Sequence, residues 1–175
     1  MARRPVNGVP AHAADLDPER APERRALSVS SSSIYRLTVQ FGDCDPANIV
    51  FYPNYYRWFD AATHHLCTQV GLDWISLRDQ YGVVGMPLVD TGASFRQPAS
   101  FGDHLEIESS VVECARKTLR LRHLVRRGDT LLVEGFEVRV LGARHPDDPK
   151  RLRALEIPKE IRNALTRGED SDRTR

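Results

Sequence analysis

The chain has 175 residues, which suits one domain with a substantial core, and its 41% hydrophobic and 28% charged residues are typical of a soluble globular protein. Its formal net charge of +1 predicts neither a nucleic-acid partner nor binding to an anionic membrane. No apolar run approaches the roughly 18 residues that a membrane-spanning helix needs. The three cysteines lack metal-ligand spacing, which predicts reduced thiols and a cytoplasmic location.

Composition divides the chain into three parts. Residues 1–33 are rich in arginine, proline and serine, as in an organelle transit peptide, but they also carry acidic residues, which such peptides lack. We therefore expect a disordered tail or a wrongly assigned start codon. Residues 34–165 are expected to form one domain, and residues 166–175 a charged C-terminal tail.

Hydrophobic periodicity predicts the order of elements in this domain. Apolar residues alternate from Tyr35 to Phe41 and predict a strand, which a loop over residues 42–48 follows. Apolar residues at helical spacing predict a long helix from Pro53 to Val70, capped by Gly71. The remaining expected elements are a short helix over 74–81, antiparallel strands over 86–96, 105–111, 118–126 and 131–141, a short strand over 152–157, and a short helix after Pro158.

This order of elements predicts an α+β fold. One helix of about 17 residues cannot cover five strands unless the sheet curls around it. A hotdog fold satisfies that condition, because its antiparallel sheet of about five strands is wrapped around one long central helix. Other α+β folds share the same order of elements, so periodicity alone leaves them open.

Several segments carry a resemblance to a known family. Residues 39–62 have the sequence VQFGDCDPANIVFYPNYYRWFDAA, which resembles the signature of the 4-hydroxybenzoyl-CoA thioesterase family in its FGDCDPAG-type branch. The resemblance extends to GVVGMPLV (82–89), SFRQPASFGDHLEIE (94–108), CARKTLRLRH (114–123) and LRALEIP (152–158).

The resemblance, which spans residues 34–165, implies a function. It implies a hotdog acyl-CoA thioesterase that hydrolyses a hydroxybenzoyl- or benzoyl-type CoA thioester to the acid and CoA, as in the degradation of aromatic compounds. No cofactor is implied, since coenzyme A is part of the substrate. The family forms homodimers and homotetramers with active sites at subunit interfaces. The alternatives are a thioesterase for short or medium aliphatic chains and a non-catalytic acyl-CoA-binding protein.

The resemblance assigns the catalytic roles to the loop before the long helix. Asp45 matches the catalytic carboxylate, which acts as nucleophile or general base. Without the motif, Asp45 and Pro46 would be interpreted as a turn pair. The backbone N–H of Tyr52 matches the donor that stabilises the oxyanion, at the helix N-terminus where N–H groups lack partners. The Tyr52 side chain itself could be a packed aromatic.

Three further residues match positions at the acyl group. Asp60 matches a carboxylate near the ring hydroxyl, although it could be an exposed helical aspartate. Trp74 matches an aromatic wall of the acyl pocket, although a core tryptophan is equally compatible with the pattern. Met86 stands where the nearest relatives carry threonine, so the acyl group could differ from theirs.

The resemblance places the coenzyme A phosphates at a turn between two strands, where Arg116, Lys117 and Thr118 match the family's basic turn. A solvated hairpin turn is the alternative. Asn48 replaces a family glycine, and asparagine is one of the few residues that tolerate left-handed backbone. The pair His64–His65 lacks the HExxH pattern, so no metal is expected.

Overall fold

The computed structural model describes residues 31–166, so the tails predicted at 1–33 and 166–175 lie almost wholly outside the described residues. β1 begins at Ser32, two residues before the expected start of the domain. The elements in chain order are β1 (Ser32–Thr38), α1 (Pro53–Gln69), α2 (Trp74–Tyr81), β2 (Leu88–Phe95), β3 (His104–Cys114), β4 (Thr118–Arg127), β5 (Thr130–Val140), β6 (Gly142–Arg144), β7 (Leu152–Ala154) and α3 (Lys159–Thr166).

Five strands form one antiparallel sheet in the order β1-β3-β4-β5-β2. The strands β6 and β7 pair separately as a two-stranded sheet, so the short strand predicted over 152–157 is shorter and does not join the main sheet. The α+β class and the five-stranded sheet agree with the sequence analysis. No helix among residues 31–166 is long and apolar enough to cross a membrane.

The first predicted strand ends earlier than its alternation indicated. Val39 is fully buried, but Phe41 is 79% exposed and begins a short 3-10 turn, Phe41–Asp43. The Asp43 carboxylate accepts the Gln40 N–H (2.8 Å), and the Asp43 N–H donates to the Gln40 carbonyl (3.0 Å). These local hydrogen bonds compete with strand pairing. The strand therefore ends before the alternation of apolar residues does.

Helix α1 packs its apolar stripe against one face of the sheet. Proline at its first position has no N–H to leave unpaired, and Gly71 follows its end with φ 77°, a backbone conformation that glycine adopts without strain. Phe59 is fully buried and lies on Gly135 of β5, where an added Cβ would come within 2.5 Å of its ring. This close approach brings the helix onto β5 and positions its next turns over the sheet.

Two apolar clusters make up the core beneath α1. One surrounds Phe59 and Ile107, and the other surrounds Leu66 and Leu121. Polar residues on α1 and on three central strands lie between the clusters, and each of them is at most 5% exposed: Thr63 on α1, Ser109 on β3, His123 on β4, and Glu137 and Arg139 on β5. A buried polar layer thus runs through the middle of the core.

Candidate active site

The loop between β1 and α1 contains a tight turn built around Asp45. The Asp45 carbonyl accepts the Asn48 N–H (2.9 Å), and the Asp45 N–H donates to the Ile49 carbonyl (2.9 Å). Asn48 has φ 65°, in the left-handed region, so asparagine does replace glycine there without breaking the turn. Asp and Pro at the first two turn positions favour this geometry.

The Asp45 side chain is fixed by the same turn. Its Oδ1 accepts the Ala47 N–H at 2.8 Å, and the residue is half-buried. Within residues 31–166, no hydrogen bond or ion pair to Oδ2 is present. Asp45 is therefore a turn residue that also presents one free carboxylate oxygen, so the structural and the catalytic interpretations are compatible.

Asp43 ties this loop to the start of α1. Its carbonyl accepts the Phe51 N–H (2.8 Å) and the Asn54 side-chain amide (2.9 Å). The Val50 N–H donates to the Ala99 carbonyl (2.8 Å), which attaches the loop to the chain before β3. These bonds give Asp43 a structural role and hold the loop against the helix N-terminus.

Tyr52 lies immediately before α1 and offers a free backbone donor. Its N–H makes no hydrogen bond among the described residues, whereas the Asn54 and Tyr55 N–H groups donate to the carbonyls of Phe51 and Tyr52. Its side chain is 58% exposed, so it is not a packed core aromatic. A mostly apolar cavity of about 290 Å³ lies beside it, lined by Ile49, Val50, Tyr52, Tyr55, Phe95, Arg96, Gln97 and Pro98.

The three residues predicted at the acyl group line one cavity of about 480 Å³. Asp60 comes from α1, Trp74 from the first position of α2, and Met86 from the segment before β2. Trp74 is 40% exposed and is therefore not a core residue, while Met86 is 7% exposed and packs in the core. The cavity is also lined by His64 and by Arg139 of β5.

Two further residues belong to this site. Arg139 lines the wall of the cavity, and Glu137 binds Arg139 from within the core; neither was identified as a site residue from the sequence. Arg139 donates from Nε and Nη2 to the two Glu137 oxygens (2.9 and 2.8 Å), and from Nη2 to Asp60 Oδ1 (2.6 Å). The sequence of β5 contained a signal for this pair. Side chains at positions i and i+2 of a strand point to the same face, so a glutamate and an arginine at this spacing can form an ion pair. That this face is the buried one depends on how β5 packs.

The charges in this group support one another. Burial raises the pKa of a carboxyl group, but His123, Arg139 and Thr63 outweigh that effect and lower the Glu137 pKa to about 2. Burial lowers the pKa of Arg139, but Glu137 and Asp60 outweigh it and raise that pKa above its usual value. Glu137 is therefore a carboxylate, and Arg139 a guanidinium, throughout the physiological pH range.

The predicted coenzyme A turn lies between β3 and β4 and contacts α3. Arg116 forms an exposed ion pair with Glu156, and its carbonyl accepts the Ile157 N–H (2.8 Å). Lys117 is half-buried and makes no ion pair with a described residue, and Thr118 begins β4. The turn is thus anchored at Arg116 and presents a cation at Lys117.

The remaining reactive side chains of residues 31–166 do not form a second site. All three cysteines are free. Cys67 is buried, and burial raises its thiol pKa to about 11, so it is unreactive in the folded protein. Residues 31–166 contain no group of three or more His, Cys, Asp or Glu side chains that could hold a metal ion.

Comparison with known proteins places this architecture in a family. A model of the thioesterase-like superfamily matches residues 39–165. The 4-hydroxybenzoyl-CoA thioesterase of Pseudomonas sp. (strain CBS-3) is 44% identical over 126 residues, which is 69% of this chain and 87% of that protein.

Solved structures agree with the sequence match. A mutant 4-hydroxybenzoyl-CoA thioesterase with 4-hydroxybenzoyl-CoA bound has a TM-score of 0.72 and 39% identity, covering 78% of this chain and 99% of that one. A gentisyl-coenzyme A thioesterase has a TM-score of 0.64 and 35% identity, covering 76% and 98%. The predicted family and α+β hotdog fold are confirmed: the chain belongs to the thioesterase-like superfamily.

Proposed function

We propose that this protein is an acyl-CoA thioesterase that hydrolyses an aromatic, hydroxybenzoyl- or benzoyl-type CoA thioester to the free acid and CoA. The observation that carries the proposal is the loop at the N-terminus of α1, which presents a free oxygen of Asp45 and an unpaired N–H of Tyr52. The similarity to thioesterases for 4-hydroxybenzoyl-CoA and gentisyl-CoA supports the substrate class.

Asp45 and Tyr52 supply the two functions that thioester hydrolysis needs. The free Asp45 oxygen attacks the carbonyl carbon, the C–S bond breaks with loss of the CoA thiolate, and water then hydrolyses the resulting anhydride to the acid; alternatively, Asp45 removes a proton from a water that attacks the carbonyl carbon, and the same C–S bond breaks. As the carbonyl oxygen gains negative charge, it is stabilised by the Tyr52 N–H and by the positive end of the α1 dipole. A backbone donor of this kind needs no reorganisation during the reaction.

The separation of Tyr52 and Asp60 along α1 also indicates the length of the acyl group that fits between them. Asp60 lies eight residues after Tyr52, so the two are separated by about 12 Å along the axis. A 4-hydroxybenzoyl group measures roughly 6 Å from its carbonyl oxygen to its hydroxyl, and a hydrogen bond at each end adds about 6 Å in total. A ring with its carbonyl at Tyr52 and its hydroxyl at Asp60 therefore matches this spacing. Trp74 and Met86 would then contact the ring's apolar surface.

The test is thiol release from a panel of 4-hydroxybenzoyl-, 3-hydroxybenzoyl-, benzoyl-, phenylacetyl- and hexanoyl-CoA. Asp45→Asn keeps an oxygen for the Ala47 N–H and so changes the charge while preserving the turn. We expect its rate to fall at least about a hundredfold. Asp43→Asn is the matched control, because its amide oxygen can still accept the Gln40 N–H.

Each outcome of this test has a defined meaning. Turnover of an aromatic ester that Asp45→Asn abolishes and Asp43→Asn retains supports the proposal. Preference for hexanoyl-CoA would favour the aliphatic alternative, for which the apolar Met86 in the cavity is the specific observation. Binding of the esters without thiol release by the wild type would contradict the enzyme proposal and leave an acyl-CoA-binding protein.

Coenzyme A would bind at the turn of Arg116, Lys117 and Thr118. The Arg116–Glu156 pair is exposed and so contributes little to stability, which lets a phosphate group displace Glu156. Lys117 would provide a second cation. We expect Lys117→Met to raise KM about tenfold with kcat unchanged, because uniform binding is lost. Lys150→Met, at an exposed loop position, is the control, and an equal change in both variants would refute the assignment.

We further propose that two copies pair through β2 and that such dimers can associate further into tetramers. β2 is an edge strand, and its first residues, Leu88 and Val89, are 45% and 56% exposed. Pairing would cover this apolar edge. Light scattering should find a dimer or tetramer for the wild type and a monomer for Val89→Lys, with Thr38→Lys on the opposite edge strand as control. A monomeric wild type would contradict the pairing.

A cytoplasmic location is the remaining part of the proposal. Three free cysteines support it, because disulfides are rare in a reducing compartment. Fractionation of cells that express a tagged full-length chain tests it, and recovery in a membrane or secreted fraction would overturn it.

A further inference from the structure

The cavity lined by Asp60, Trp74 and Met86, here called the acyl cavity, has the Arg139 guanidinium in its wall. Hydrogen bonds on the core side of this guanidinium fix its orientation. Arg139 is 5% exposed, and Glu137 binds it through two hydrogen bonds of 2.8 and 2.9 Å. Glu137 is held in turn by the Thr63 hydroxyl (2.7 Å). Because a bidentate pair of this kind fixes the plane of the guanidinium, Arg139 has little rotational freedom.

The Nη1 and Nη2 atoms of the same guanidinium also bind residues of the acyl cavity. Nη2 donates to Asp60 Oδ1 (2.6 Å), and Nη1 donates to the Met86 carbonyl (3.1 Å). An arginine has five N–H donors; the bonds to described residues use four, which leaves one on Nη1. Among residues 31–166, the one charged or polar partner near Asp60 Oδ2 is His64, whose Nε2 lies 3.8 Å away. A free donor and a free acceptor therefore belong to one ion pair at the cavity wall.

We propose that Arg139 is a specificity-determining residue, which together with Asp60 forms a paired donor and acceptor for a neutral hydroxyl on the ring of the acyl group. The remaining Nη1 N–H donates to the hydroxyl oxygen, and Asp60 Oδ2 accepts the hydroxyl hydrogen. Glu137 is the positioning residue that keeps the guanidinium in place. This inference rests on the proposed function and defines its substrate more narrowly.

Only a hydroxyl satisfies both groups at once. A methoxy oxygen accepts but has no hydrogen for Asp60, whereas an aromatic amine donates but is a poor acceptor because its lone pair is delocalised. An unsubstituted ring leaves both groups unpaired, and a ring carboxylate is repelled by Asp60. A site that desolvates polar groups discriminates strongly against ligands that leave them unpaired. Because the Asp60 side chain is 52% exposed, water can compensate in part, and we expect about tenfold to hundredfold discrimination.

Arginine is required here by geometry as well as by charge. A lysine at this position would keep the positive charge, but its single ammonium could not bind both Glu137 oxygens, Asp60 and the Met86 carbonyl in one plane. Arg139→Lys therefore tests whether the planar arrangement of guanidinium donors is needed, because lysine retains the positive charge. The matched control is Arg120→Lys on β4, because Arg120 lies over the Phe136 ring on the opposite face of the sheet, away from this cavity.

The experiment measures kcat/KM for 4-hydroxy-, 4-amino- and 4-methoxybenzoyl-CoA and for benzoyl-CoA. We expect the wild type and Arg120→Lys to prefer the hydroxy compound over each of the others by about tenfold to hundredfold. Arg139→Lys should lose most of that preference, because its kcat/KM should fall far more for the hydroxy compound than for benzoyl-CoA, and Asp60→Asn should lose the preference over the methoxy compound. A purely structural role would lower turnover of all four esters equally.

The outcomes separate this inference from the proposed function. A wild type that hydrolyses all four esters equally well refutes the hydroxyl site but leaves the thioesterase in place. A wild type that releases no thiol from any of them refutes both. If Arg139→Lys does not fold, the wild-type order among the four esters and the Asp60→Asn panel decide. An Arg139→Lys protein that folds and keeps the full hydroxyl preference overturns the role of Arg139.

Discussion

Replacement of Glu137 by glutamine should reveal how much stability the buried carboxylate contributes. Its pKa is lowered from 4.5 to about 2, and each tenfold change in proton affinity corresponds to about 1.4 kcal/mol, so the charged form stabilises the fold by about 3 kcal/mol. Breaking a buried ion pair by removing one partner has a cost of similar size. We expect Glu137→Gln to lower the free energy of unfolding at pH 7 by about 3 kcal/mol.

The pH dependence of this difference tests its origin. A carboxyl group with a lowered pKa in the folded state stabilises fully above its unfolded pKa of 4.5, and its contribution is lost as pH falls towards about 2. The difference between wild type and Glu137→Gln should therefore fall to about half at pH 3 and nearly vanish at pH 2.

Urea denaturation at one fixed protein concentration measures this, because an oligomer's stability depends on concentration. Glu108→Gln, at an exposed position of β3, is the control and should change little at any pH. A difference between wild type and Glu137→Gln that stays constant from pH 7 to pH 2 would refute a charged Glu137 in the folded protein.

Three further predictions concern single contacts. Gly135→Ala should lower stability by about 1–3 kcal/mol in thermal unfolding, because its Cβ would come within 2.5 Å of the Phe59 ring; an unchanged melting temperature would contradict that packing. Asn48→Gly should match the wild type in activity and stability, whereas Asn48→Val should lose about 1–2 kcal/mol in chemical denaturation, because valine is strained at φ 65°. In timed alkylation with iodoacetamide, Cys67 should react only after unfolding, since its pKa is about 11, whereas Cys44 is half-buried; rapid modification of native Cys67 would show that it is not buried.

The patterns with a strong local cause were predictable from the sequence. Pro53 at the start of α1, Gly71 after its end and Gly82 after α2 each act within one turn of chain, so the helix limits agree with expectation to within one residue. The turn at Asp45–Asn48 is equally local, because its residues satisfy one another's backbone groups. The first strand was predicted too long, since the Asp43 carboxylate at the start of the loop competes with strand pairing at Gln40.

The candidate site was predictable only in part. The family motif contains both Asp45 and Tyr52, and in the structure both lie in the loop between β1 and α1. Asp60, Trp74 and Met86 are widely spaced in sequence, and their convergence on one cavity depends on how the two helices and the segment before β2 pack. The residues Glu137 and Arg139 were missed because β5 places charged side chains on its buried face, against the usual rule that apolar residues lie inside.

The sequence by itself determined the order of the elements and the turn that carries Asp45, because both rest on interactions between residues close together along the chain, and its motifs indicated the family to which the chain belongs. Only the tertiary structure decided which face of β5 is buried and that its Arg139 meets Asp60 of α1. The physical reason is that an ion pair between residues 79 positions apart forms only after helix and sheet have packed. Burial requires the charge of Arg139 to be paired, because an unpaired charge in the core would be too costly, and Glu137 is its buried partner.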